Sequence, residues 1–158
     1  MKHNTLYLAG QITPNPKTYE WRKETIEALK DIPNLTILDP CASEFDRSMV
    51  NSKRDKDGYA IKTFLDEGLS LLPHKDLDHV DKSTIIIFNL WQFDPQRALL
   101  GTIFELAWAF ERPNIMTIGI LRNWKETAFG KHPFVSQTIH AWVDHHLDAA
   151  ALIRRHLD

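Results

Sequence analysis

A chain of 158 residues with 43% apolar side chains falls in the size range of one compact domain and can bury a single sizeable core. Its formal net charge of -2, with neither sign gathered into a block, argues against a surface that neutralises phosphates, so neither a nucleic-acid polymer nor a membrane is an expected partner. A lone cysteine, Cys41, excludes an internal disulfide, no apolar run is long enough to span a bilayer, and the residues before Gly10 are too few for a signal segment, so the expected location is cytoplasmic.

In chain order, the first apolar run, residues 6–9, reads as a strand in which Tyr7 points away from Leu6 and Leu8. Residues 17–30 follow as an amphipathic helix with Trp21, Ile26 and Leu29 on one face, ended by Pro33. A second strand is expected at residues 35–38. The polar stretch at 43–58 is longer than connections in compact domains usually are and suits a lid or substrate loop. A helix follows from about residue 59 or 66 to 82, with Pro73 breaking or restarting it. Strands at 84–90 and 115–121 flank a helix at 102–110, and a last helix at 144–156 closes the chain. The four strands are almost continuously apolar rather than alternating, which marks strands buried on both faces. The expected class is therefore α/β: an open, mainly parallel sheet with helices on both faces, flavodoxin-like or Rossmann-like, and without repeats or linkers.

Such sheets take ligands at the carboxyl ends of their strands. That rule gathers Gly10 and Gln11, Asp39, the segment 89–94, and Gly101 and Thr102 around one crevice. Glu105 stands out there, since the helix beyond Thr102 is otherwise apolar. Two readings stay open. Thr102 and Glu105 match the S/T-x-x-E capping box, in which each side chain satisfies a backbone donor near the other residue. Alternatively, the helix N-terminus keeps Glu105 ionised and able to attack an electron-poor carbon. Asp76, Asp78 and Asp81 fit a solvated helix face, but Asp76 turned to the crevice would complete a carboxylate pair suited to glycosidic chemistry. Tyr7 is either ordinary strand filling or the hydroxyl that orients Glu105. Trp91, just past the third strand, is placed to stack on a planar base, whereas Trp21 and Trp108 suit the core. The histidines lack partners at zinc-ligand spacing, and residues 130–133 lack the glycine and hydroxyl of a phosphate loop, so no metal and no cofactor is expected.

Several segments together resemble the nucleoside 2-deoxyribosyltransferase family: Leu6-Tyr7-Leu8-Ala9-Gly10, Leu38-Asp39-Pro40, Lys75-Asp76-Leu77, Gly101 to Ala109 with its GT-x-x-E-x-x-x-A pattern, and His132-Pro133-Phe134. The resemblance runs from about residue 5 to residue 135. It implies that Glu105 attacks the anomeric carbon of a deoxynucleoside, that Asp76 contacts the sugar and assists, and that Tyr7 bonds to Glu105. The substrates it implies are a nucleoside or nucleotide and a free nucleobase. Many members carry an aspartate for the leaving base just before the glycine pair; here the stretch is Ala98-Leu99-Leu100-Gly101, which leaves Gln92, Asp94 or Arg97 to recognise the base. Thr84, where relatives often have an aspartate, reads as structural.

Two other activities remain open. One is hydrolysis of a nucleoside 5'-monophosphate, with Ser43, Arg47, Ser52, Lys53 and Arg54 as phosphate donors. The other is a binding module without turnover. The resemblance also implies a homo-oligomer, a dimer or larger even assembly, in which residues 131–137 with His132 complete a neighbour's site. Exposed Pro133, Phe134 and Val135 would suit such an interface, the alternative being that Phe134 packs on its own last helix.

Overall fold

A computed structural model of the chain describes residues 3–42 and 66–158, and of residues 66–70 the backbone only. The expected lid stretch, the possible helix start at 59 and the phosphate-donor candidates Ser43, Arg47, Ser52, Lys53 and Arg54 lie outside the described residues.

The strands are β1 (Asn4–Gly10), β2 (Leu35–Leu38), β3 (Ile85–Asn89), β4 (Met116–Ile120) and β5 (Ala141–Val143). They form one parallel sheet in the order β2-β1-β3-β4-β5, the flavodoxin-like arrangement. The register sets Gly10 beside Asn89 and Asn89 beside Ile120, so the carboxyl ends of three strands finish level. The helices are α1 (Lys17–Leu29), α2 (Asp66–Lys82), α3 (Leu100–Phe110), the short α4 (Ala128–Lys131) and α5 (Pro133–Ser136), and α6 (His146–Leu157).

Each strand feeds two cores by its two-residue alternation. Leu6, Leu8, Ile85, Ile87, Ile118 and Ile120 pack against α1 and α6. Tyr7, Ala9, Ile86 and Phe88 point to the opposite face, against Val80 of α2 and Leu106 and Ala109 of α3. Residues 85–88 are almost wholly buried, and each such side chain contributes about 1.5–3 kcal/mol of hydrophobic stabilisation. Thr84 is structural as expected: its Oγ1 accepts from the Thr5 N–H at 3.0 Å and ties the start of β3 to β1.

Two expectations are corrected. Pro73 neither breaks nor restarts its helix, because α2 runs continuously through it from Asp66 to Lys82. The sheet also has a fifth strand that the sequence reading did not include. β5 is three residues long, and it is held by packing: a Cβ on Gly119 of β4 would lie 2.8 Å from the Trp142 ring, so the glycine makes room for that indole. Trp142 then stacks on Trp124 with ring centroids 4.7 Å apart.

Candidate active site

The order β2-β1-β3 reverses the direction of winding between β1 and β3, and a crevice opens at the carboxyl ends of that pair. On the α2/α3 side, a cleft of about 240 Å³ lies there, lined among others by Tyr7, Gly10, Gln11, Asp76, Thr102 and Glu105. β1 supplies Tyr7 because its parity points it at α3. α3 supplies Glu105 from its inner face, 5% exposed, and α2 supplies the half-buried Asp76. The hydroxyl of Tyr7 donates to Glu105 Oε1 at 2.5 Å, and the Tyr7 ring rests against His79 of α2 with centroids 5.1 Å apart.

The capping-box reading of Glu105 does not hold. α3 begins at Leu100 with Leu99 as its N-cap and no side-chain cap, so Thr102 is already inside the helix and Glu105 lies in the second turn. That position also weakens the expected ionising effect of the helix N-terminus, which fades beyond the first turn. Burial pushes the Glu105 carboxyl up to about 8, with the negative charge of Asp76 adding to the rise; the Tyr7 hydrogen bond and Arg22 act the other way. The Tyr7 hydroxyl is likewise raised, chiefly by burial and then by Glu105.

Arg22 was not singled out by the sequence reading, yet it is fully buried. From α1 it donates to the carbonyls of Leu8 (3.3 Å), Gly10 (2.9 Å) and Thr18 (2.6 Å), and it pairs with Asp39 at 3.7 Å. It therefore fixes the end of β1 that forms the cleft floor, and it brings a positive charge beneath the two acids. Arginine is so often a surface residue that composition offers no hint of this; its place directly after Trp21 on the buried face of α1 is the available signal.

The other candidates divide. Gln11 lines the cleft, but its side chain is committed to the loop after β3, donating to the carbonyls of Asp94 (3.1 Å) and Arg97 (3.0 Å) and accepting from the Asp94 N–H (2.9 Å). Gln92 donates to the Arg97 carbonyl at 3.2 Å, and Asp94 accepts from the Gln96 N–H at 3.1 Å, so both shape that loop. Arg97 lines the cleft and donates to the Ile12 carbonyl at 3.1 Å. Asp39 sits behind the floor with Arg22 and accepts from the Cys41 N–H at 2.9 Å.

Trp91 and His132 are not brought to this cleft. Trp91 borders a larger one, of about 500 Å³, on the α1/α6 side at the ends of β3 and β4. Parity was the available signal: Trp91 follows Ile85, Ile87 and Asn89, which face α1 and α6, and not Ile86 and Phe88, which face α3. The larger cavity holds no buried acid pair. His132 is exposed at the junction of α4 and α5, beside Phe134, which is 80% exposed and does not pack on α6. Also exposed is a run of apolar side chains on the outer side of α3, Leu100, Phe104 and Phe110. Among the described residues no group of three His, Cys, Asp or Glu could hold a metal ion, and no helix is long and apolar enough to cross a membrane.

Two solved structures share this architecture. A conserved protein from Enterococcus faecalis V583 is 13% identical, with 98% of this chain and 99% of that chain covered and a TM-score of 0.63. A 2-deoxyribosyltransferase from Bacillus psychrosaccharolyticus is 15% identical, with 92% and 90% covered and a TM-score of 0.57. No protein-family model and no curated protein matches the sequence. At these identities the likeness is one of fold.

Proposed function

We propose that the chain is a nucleoside 2-deoxyribosyltransferase, moving 2-deoxyribose from one nucleobase to another through a covalent sugar ester on Glu105. The observation that carries this reading is the buried Tyr7–Glu105 hydrogen bond in the cleft that Asp76 also lines. A buried, otherwise unneeded acid of raised pKa, set at the topological switch point, is the kind of group that catalysis retains at a cost in stability. The fold shared with the Bacillus enzyme and the motifs around Tyr7, Asp76 and Glu105 point the same way.

In the first half-reaction the bond from the anomeric carbon to the base nitrogen breaks, the base leaving with the electron pair and taking up a proton. A bond forms from that carbon to a carboxylate oxygen of Glu105. Because Tyr7 occupies Oε1, Oε2 is the oxygen left to attack. Asp76 stabilises the developing positive charge on the sugar and contacts its hydroxyl groups. In the second half-reaction a nitrogen of the acceptor base attacks the same carbon and gives up its proton to solvent, and Glu105 departs as carboxylate. Two inversions give overall retention. Glu105 must be ionised to attack, so with its carboxyl at about 8 in the empty cleft, kcat/KM climbs as pH rises toward that value.

We further propose that the active form is a homo-oligomer. Exposed Phe134 and the apolar outer side of α3 suit burial against a second copy, which would bring His132 to a neighbour's cleft.

The reading is tested by incubating a deoxynucleoside with and without a second free base. Transfer predicts a new deoxynucleoside only when the acceptor base is present. Release of free sugar in both samples, or turnover of a nucleoside 5'-monophosphate alone, would replace it with the hydrolase reading.

A further inference from the structure

We infer that the larger cleft on the α1/α6 face is a second binding site, for a planar, uncharged heteroaromatic ring of the nucleobase kind. Its volume of about 500 Å³ lies within the range of small-molecule sites, and it opens at the carboxyl ends of β3 and β4, where this fold class binds ligands. Flat surface is supplied by Trp91, whose indole is 51% exposed, and by half-buried Phe93. An indole left half in water at the mouth of a concave site is a stacking platform.

The polar groups of the wall favour in-plane acceptors on the ligand. Trp21 forms part of the wall at 3% exposure. Asn89, also buried on this wall, uses its Oδ1 to accept from the Trp91 N–H at 3.1 Å, which leaves its amide N–H groups to donate elsewhere. An amide donor beside an aromatic face matches the edge and the face of a heterocycle.

The charges decide against a phosphorylated ligand. Lys17 and Arg122 stand against Glu20 and Asp144, and Glu24 is taken by His146, its carboxylate 2.6 Å from Nε2. Burial lowers the His146 pKa, while the Glu24 hydrogen bond acts the other way. The wall thus sets three carboxylates against two permanent cations and offers no cluster of cations to a polyanion.

The lining alone argues for the ring; the choice of nucleobases as probes rests on the proposed function. Binding of hypoxanthine and of cytosine is measured by calorimetry on the whole chain, with no deoxynucleoside present, so transfer can fail while this site binds and the reverse. One base or both should bind, with Trp91→Ala weakening affinity about five-fold or more, as loss of base–aromatic stacking does, and Trp91→Phe retaining most of it. Ala98→Trp, which puts an indole at an exposed position in the cleft of Glu105, should leave this affinity unchanged. Loss of binding in Ala98→Trp with full binding in Trp91→Ala would assign the base to the carboxylate cleft and overturn the inference. No binding of either base at millimolar concentration would overturn it as well.

Discussion

Two clefts open at the carboxyl edge of this sheet, one against the end of β1 and the other against the ends of β3 and β4, and they differ in almost every physical respect. The one on the α2/α3 face is half the size, and it holds Glu105, whose proton is retained to about pH 8 by burial and by the charge of Asp76. The one on the α1/α6 face is roomier and aromatic, with three carboxylates on its wall against two permanent cations. Size alone would not choose the cleft to which the chemistry is proposed to belong. A buried carboxyl with a hydroxyl aimed at it and a second acid beside it is costly to fold, and that cost is the reason for proposing the smaller cleft.

The largest effect that should sharpen this contrast comes from Glu105→Gln. Turnover should fall by about 10⁴-fold or more, as when a nucleophile is removed. Stability should move the other way. Because the folded-state pKa of Glu105 is raised, its contribution is fully present below the unfolded value near 4.5 and is lost as pH climbs to about 8. The wild type should therefore lose stability over that window and the variant should not, leaving Glu105→Gln with the higher Tm at pH 8. Equal pH dependence in both proteins would remove the buried acid from the account.

Asp76→Asn should lower kcat by about 10²–10⁴-fold, the range for a positioned acid–base group. It should also shift the acidic limb of kcat/KM to lower pH, since a charge that raises the Glu105 pKa is gone. Exposed Asp78, two residues on and paired with Lys82 at 2.5 Å, is the control. Asp78→Asn should change turnover by less than about two-fold, because exposed pairs contribute little. Tyr7→Phe should cost less than Asp76→Asn, about 10–100-fold, the worth of one hydrogen bond to a charged group. It should move the same limb to higher pH, because that bond favours the ionised carboxylate. Limbs displaced in one direction by both changes would contradict this electrostatic picture. Phe134→Asp carries the smallest effect on the chemistry itself: light scattering should show weaker association, with activity falling in step with dissociation, whereas a monomeric wild type of full activity would exclude a shared site.

The sequence made the central sheet legible because strands buried on both faces read as unbroken apolar runs, and the alternation within β1 was enough to send Tyr7 away from Leu6 and Leu8 and toward α3. The same alternation, followed two residues beyond β3, would have assigned Trp91 to the opposite face from Glu105. Thr102 and Glu105 matched a capping pattern by coincidence of spacing, since α3 starts earlier, at Leu100. β5 could not be read from three residues whose place depends on Trp142 fitting over Gly119, a contact between distant parts of the chain. Arg22 was equally hidden, because its partners are backbone carbonyls, which no side-chain pattern reveals.

The central claim is a covalent bond to one oxygen of one side chain, and trapping that bond tests it most directly. Incubation with a deoxynucleoside carrying fluorine at the 2-position of the sugar slows both half-reactions by destabilising the oxocarbenium-like transition state, so that the sugar ester accumulates. Peptide mass mapping should then find the fluorinated sugar on the peptide that contains Glu105, and Glu105→Gln should show no adduct. An adduct on Asp76 or on any other residue, or none while the wild type measurably turns the substrate over, would contradict the account.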